Sequence, residues 1–165
     1  MSVGIAAAGS GGHVYPALAV ADEIVSRGVA RRDVIFYGGD RMEATVVPEA
    51  GYPFVSVDIH GIRRSMSIDN LKLPLKVRAA RDVITTSILA HDVRSMLVFG
   101  GYVSGPAALA ANKTNIPLII HEANAAPGVA NRLAARKADT VFVAFEPALA
   151  RLPGATVVGS PLRSA

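Results

Sequence analysis

Apolar residues along the chain follow two alternating rhythms. Short unbroken runs bounded by glycine or charge give way to stretches where apolar positions recur every third or fourth residue. The first unbroken run, Val3 to Ala8, reads as a buried strand ending in a glycine loop. Pro16, with its preset φ, is expected to start a helix. From Ala17 the spacing turns helical through Val20, Ala21, Ile24 and Val25, to about Arg27 and a stop at Gly28. The same reading predicts a strand over Val34–Tyr37, a short helix over 42–50 stopped by Gly51, and a strand over Phe54–Asp58. An irregular stretch, His60 to Asn70, precedes a helix from Pro74 to Ala90 with Val77, Ala80, Ile84 and Ile88 on its inner face. Met96–Phe99 is a strand, Pro106 opens a helix to about Thr114, and Pro117–His121 is a strand followed by a helix to about Lys137. Thr140–Ala144 and Ala155–Val158 complete the set as strands.

Strands that are apolar throughout and alternate with helices predict a parallel sheet covered on both faces. With right-handed crossovers this becomes an α/β, doubly wound, mostly parallel Rossmann-like sheet of about seven strands, beginning in the order 3-2-1-4-5. In that order the first and fourth strands are neighbours where the order reverses, and the fifth lies next along. The loops after those three strands are GSGGH, GGYVSGP and HEAN. Ligands in such sheets bind at the carboxyl ends of the strands, so these loops are expected to line one crevice.

Their residues carry the candidate chemistry. Gly9, Gly11 and Gly12 let an anion approach the backbone where a helix N-terminus presents free N–H groups. The loop is not a P-loop, since His13 and Val14 follow Gly12, nor a dinucleotide fingerprint, whose third glycine would fall at Val14. The positive end of a helix disfavours imidazolium, which makes His13 a candidate proton acceptor. In the second loop Gly100, Gly101 and Gly105 open the backbone, and Ser104 is expected to cap the following helix. Tyr102 brings a hydroxyl and a flat face; two such loops suit a diphosphate. Glu122 and Asn124, two apart beyond a strand, offer a carboxylate and an amide to sugar hydroxyls, and Glu122 rivals His13 as a base. His121 is expected to face the core or bond the backbone.

Half of the 165 residues are apolar, enough for one domain with an ample core. No apolar run approaches a membrane span, no signal segment follows Met1, and the absence of cysteine excludes disulfides and fits the cytoplasm. Four scattered histidines show no metal-ligand spacing, so no metal or cofactor is expected. A net charge of +4 points to an acidic partner. Few aromatics and no RNA-binding signature argue against nucleic acid. From Ile62 to Arg81, Arg63, Arg64, Lys72 and Lys76 are interleaved with Met66, Ile68, Leu71 and Leu75. That pattern fits a solvated helix face over core residues, or a surface that contacts anionic lipid.

Several segments in this order, AGSGGHVYPALAVADE, RMEATVVPEAGY, FGGYVSGPAALAA, IIHEANAAPGVANRLAARKAD and VVGSPLR, resemble the MurG family of peptidoglycan N-acetylglucosaminyltransferases. Ser10 stands where that family usually has threonine, and Ala123 where glutamine is common. The resemblance implies the amino-terminal half of a GT-B fold, with residues 1–160 as a Rossmann-like acceptor-binding domain and 161–165 beginning the interdomain linker. The donor-binding half would be absent, leaving this chain inactive alone. The implied reaction is inverting transfer of GlcNAc from UDP-GlcNAc to the C4 hydroxyl of lipid I, giving lipid II at the inner face of the plasma membrane. The resemblance further implies donor contacts from Ser10, Gly11, Gly12, Asn124 and Arg163, with His13 as candidate base. Gly9, Gly101, Tyr102, Ser104 and Gly105 would receive the acceptor diphosphate. Ile62, Arg63, Arg64, Ile68, Leu71, Lys72, Leu75 and Lys76 would contact the membrane. Two other functions stay open: a non-catalytic docking subunit that binds lipid diphosphate, and, less compatible with the missing third glycine, a nucleotide-dependent dehydrogenase.

Overall fold

The computed structural model describes residues 1–59 and 73–162. The strands are β1 (Ser2–Ala7), β2 (Val34–Gly38), β3 (Phe54–Ser56), β4 (Val93–Gly100), β5 (Leu118–Glu122), β6 (Thr140–Val143) and β7 (Thr156–Val157). The helices are α1 (Gly11–Ser26), α2 (Glu43–Glu49), α3 (Leu73–Ala90), α4 (Ser104–Thr114) and α5 (Val129–Ala135). The strands form one sheet in the order β3-β2-β1-β4-β5-β6-β7, and each adjacent pair is parallel. The doubly wound order expected from the apolar pattern is the order observed.

Alternation along the strands explains the two cores. Val3, Ile5, Ala7, Val34 and Phe36 turn to one face and pack with Val14, Leu18 and Val47 of α1 and α2. Ala6, Ile35, Tyr37, Met96 and Val98 turn to the other, against Ala80, Ile84 and Ile88 of α3 and Ala107, Ala110 and Ala111 of α4. Beyond its first turn, where Ser104 and Pro106 are buried, the inner face of α4 is alanine (Ala107, Ala108, Ala110 and Ala111), so no large side chain separates that helix from the sheet.

Two helix starts differ from expectation. α1 begins at Gly11, so Pro16 lies inside it and does not open it. The Ser10 carbonyl accepts from His13 N (3.0 Å) and Val14 N (3.1 Å), closing a first turn that glycine propensity alone would not predict. α4 begins at Ser104, two residues before Pro106; Pro106 still falls in the first turn, where its missing N–H costs nothing.

Candidate functional site

The turns after β1, β4 and β5 meet at the carboxyl edge of the sheet. They border a crevice of about 710 Å³ lined by His13, Gly101, Tyr102, Gly105, Glu122 and Asn124. From there the crevice continues along an apolar flank formed by Leu73, Val77, Leu109, Val129 and Leu133. Convergence of the three loops therefore follows from the sheet order.

His13 sits in the first turn of α1. Its Nδ1 lies 3.1 Å from the Ala8 carbonyl oxygen and 3.2 Å from Ser10 Oγ. A carbonyl oxygen only accepts, so Nδ1 carries the hydrogen and Nε2 of the neutral ring holds the lone pair. The ring packs closely against Gly100, where a Cβ would come within 2.5 Å of His13 Cδ2. The N–H groups of Gly11 and Gly12, first in α1, have no acceptor within the helix, and no Ser10 side-chain cap replaces one. Ser10, expected as a donor contact, is exposed and leans on His13 without capping the helix.

Several expected ligand groups turn out to be engaged within the protein. The Gly9 N–H donates to Glu43 Oε2 at 3.2 Å, which removes it from the set available to a diphosphate. Gly101 is glycine because its φ is +85° and a Cβ would collide with the Ala8 carbonyl oxygen; its first task is close packing of the two loops. The Tyr102 hydroxyl donates to Glu43 Oε1 at 2.5 Å. Burial first, and then the Glu43 carboxylate, push the Tyr102 phenol far above its ordinary range, so it stays protonated and directed inward. Only its ring is left to line the crevice. Ser104 does not cap α4: it is the first residue of that helix, fully buried, and its Oγ has no partner among the described residues. Gly105 borders the crevice with open space where a Cβ would stand.

Glu122 is 1% exposed and surrounded by N–H donors. Oε1 accepts from Asn124 N (2.9 Å) and Asn124 Nδ2 (2.8 Å), and Oε2 from Gly128 N (3.2 Å) and Asn131 Nδ2 (3.0 Å). Four donors on one carboxylate occupy its lone pairs, which argues against its serving as a base. These bonds hold the HEANAAPG loop together and engage the amide nitrogen of Asn124, which borders the crevice, with Glu122. His121 is buried, with Nε2 3.0 Å from the Gly159 carbonyl oxygen, as expected of a core histidine.

Glu43 escaped the sequence reading. It is 0% exposed, opens α2, and its carboxylate joins three loops through Gly9 N, Gly39 N (3.1 Å) and the Tyr102 hydroxyl. The one local hint was an acid placed just after the Gly38-Gly39-Asp40 end of a strand.

Arg163 and the membrane-contact candidates Ile62, Arg63, Arg64, Ile68, Leu71 and Lys72 lie outside the described residues. The remaining two are in α3, where Leu75 is 70% exposed and Lys76 is half-buried. Val129 and Leu133, exposed at 64% and 56%, add apolar surface that the sequence reading did not single out. Among the described residues no cluster of His, Cys, Asp or Glu is arranged to hold a metal, and no helix is long and apolar enough to cross a membrane.

A parallel doubly wound sheet with a loop-lined crevice at its switch point defines the fold of the amino-terminal half of a GT-B glycosyltransferase. The Glycosyltransferase family 28 N-terminal domain matches residues 3–143, and the chain belongs to this family. It is 38% identical, over 99% of its length, to UDP-N-acetylglucosamine--N-acetylmuramyl-(pentapeptide) pyrophosphoryl-undecaprenol N-acetylglucosamine transferase 1 of Bacillus cereus, of which it covers 46%. The crystal structure of Acinetobacter baumannii MurG superposes with a TM-score of 0.82 at 34% identity, covering 99% of this chain and 46% of that one. The chain thus spans about half the length of the curated relatives it matches. UDP-GlcNAc 2-epimerase from Neisseria meningitidis, at 16% identity and a TM-score of 0.66 over 92% of this chain and 43% of its own, shares the fold alone.

Proposed function

We propose that this chain is the acceptor-side domain of an inverting glycosyltransferase that makes lipid II from lipid I and UDP-GlcNAc. The supporting observation is His13, held by the Ala8 carbonyl at the meeting point of the three loops, with Nε2 as its lone-pair nitrogen. In this reaction the acceptor C4 oxygen forms a bond to C1 of GlcNAc as the bond from C1 to the UDP phosphate oxygen breaks. The hydroxyl proton passes to His13 Nε2, and UDP leaves as the anion. The N–H groups of Gly11 and Gly12, with Asn124, supply this domain's share of donor contacts, and Gly105 leaves room for the acceptor diphosphate. Residues 1–160 act as the acceptor domain, and a donor-binding half, in cis or in trans, completes the cleft. Both walls are needed because the transition state must be held from two sides.

The apolar flank supports a peripheral location on the anionic inner face of the plasma membrane. Exposed Leu75, Val129 and Leu133 would enter the lipid interface while Lys76, Arg132 and Lys137 stay at headgroup level. The test pairs this chain with a donor-binding half and measures GlcNAc transfer to lipid I. His13→Ala is expected to lower kcat by roughly 10²-fold or more. A variant as fast as the parent removes His13 as base, and no transfer with any donor half would make the chain a docking subunit.

A further inference from the structure

Between Glu43 and His13 lies a single peptide unit, that joining Ala8 to Gly9. Its N–H donates to Glu43 Oε2 (3.2 Å), and its C=O accepts from His13 Nδ1 (3.1 Å). A peptide is planar and its trans N–H and C=O point in opposite directions, so fixing one end fixes the other. The opposite oxygen of Glu43 is itself held by Gly39 N and the Tyr102 hydroxyl. Glu43 has no ion-pair partner among the described residues and is fully buried. Its negative charge therefore acts on the N–H it holds, and hydrogen bonds in series polarise one another. Gly9 accommodates the arrangement at φ +93°.

We infer that Glu43 is a positioning residue for His13: through the Ala8–Gly9 peptide it fixes the imidazole's orientation and keeps the hydrogen on Nδ1, leaving Nε2 to accept. Any consequence for glycosyl transfer rests on the function proposed above; the imidazole arrangement itself does not.

The experiment is nitrogen-15 NMR of the His13 ring in this chain, without substrate, in the parent, Glu43→Gln and Tyr102→Phe. A glutamine at 43 presents either its NH2 to the Gly9 N–H or its NH2 to Gly39 and Tyr102, so one side of the arrangement breaks in either orientation. The parent is expected to show the Nδ1–H tautomer dominant. In Glu43→Gln the ratio of the two tautomers should fall roughly fivefold, the size of one weakened hydrogen bond. Tyr102→Phe should move it the same way by less. An unchanged ratio in folded Glu43→Gln overturns the inference. Should Glu43→Gln fail to fold, an unchanged ratio in Tyr102→Phe does so. In the enzyme completed with a donor half, Glu43→Gln should lower kcat with little change in KM for either substrate. A changed tautomer ratio with no transfer in the completed parent enzyme would sink the transferase reading and leave the positioning role standing.

Discussion

Glu43 and Glu122 are two buried carboxylates at the same edge of the sheet, each wrapped in N–H or O–H donors, yet their donors come from opposite sources. Those of Glu122 lie between two and nine residues away, on its own loop and the first turn of α5 that follows it. Those of Glu43 include Gly9 and Tyr102, 34 and 59 residues distant, on loops that no local signal connects. One acid folds a loop, and the other joins loops. A buried carboxylate in a crevice is thus no evidence of acid–base chemistry until its lone pairs have been accounted for.

The contrast can be broken most directly by truncating each acid and measuring urea unfolding. Glu43→Ala leaves three donors, one buried and two partly buried, without their acceptor and is expected to cost about 3 kcal/mol. Glu122→Ala should cost less, about 2 kcal/mol, because Asn124 and Gly128 are exposed and water can replace their acceptor. The reverse order would mean that the joined loops can relax apart without penalty. Hydrogen exchange sharpens the same point: Glu43→Ala should speed exchange at Gly9 and Gly39 together, and Glu122→Ala at Asn124 and Gly128 alone.

Tyr102→Phe removes one of the donors on Glu43 and leaves the ring, so a loss of about 1 kcal/mol is expected. A neutral result would leave the Glu43 clasp resting on backbone N–H groups only. The smallest effect is one of pH, next to Glu122. Burial, opposed by the Gly159 carbonyl and the Glu122 charge, holds His121 below the ordinary imidazole range. The unfolded chain then takes up the proton first, so stability is level above about pH 6.5 and declines as the pH falls through that value. Tm should be lower at about pH 5.5 than at about pH 7.5, and His121→Gln should remove that share of the slope. Equal Tm values in the parent would contradict a neutral buried His121.

What the sequence made legible follows from this contrast. Strand runs, the order of the sheet and the meeting of the three loops all come from hydrophobic period and from crossover handedness, which act through near neighbours. The inner face of α3, with Ala80, Ile84 and Ile88 buried, was readable for the same reason. The start of α1 was not, since two glycines argue locally against a helix that the Ser10 carbonyl and His13 nevertheless close. Ser104 and Tyr102 were assigned outward roles because their residue types suit ligands, whereas packing turned both groups inward. Glu43 was invisible because its partners are distant in the chain and become neighbours only once β1, β2 and β4 are side by side.

That last condition bears on how the chain is made. β1 is hydrogen-bonded on one edge by β2, but its other edge pairs with β4, from Ser2 opposite Val93 to Ala7 opposite Gly100. During synthesis at roughly 5–20 residues per second, that second edge waits several seconds with its amides unclaimed. Slow codons or a bound chaperone in the interval before Val93 would therefore influence yield far more than the same delay placed after Gly100.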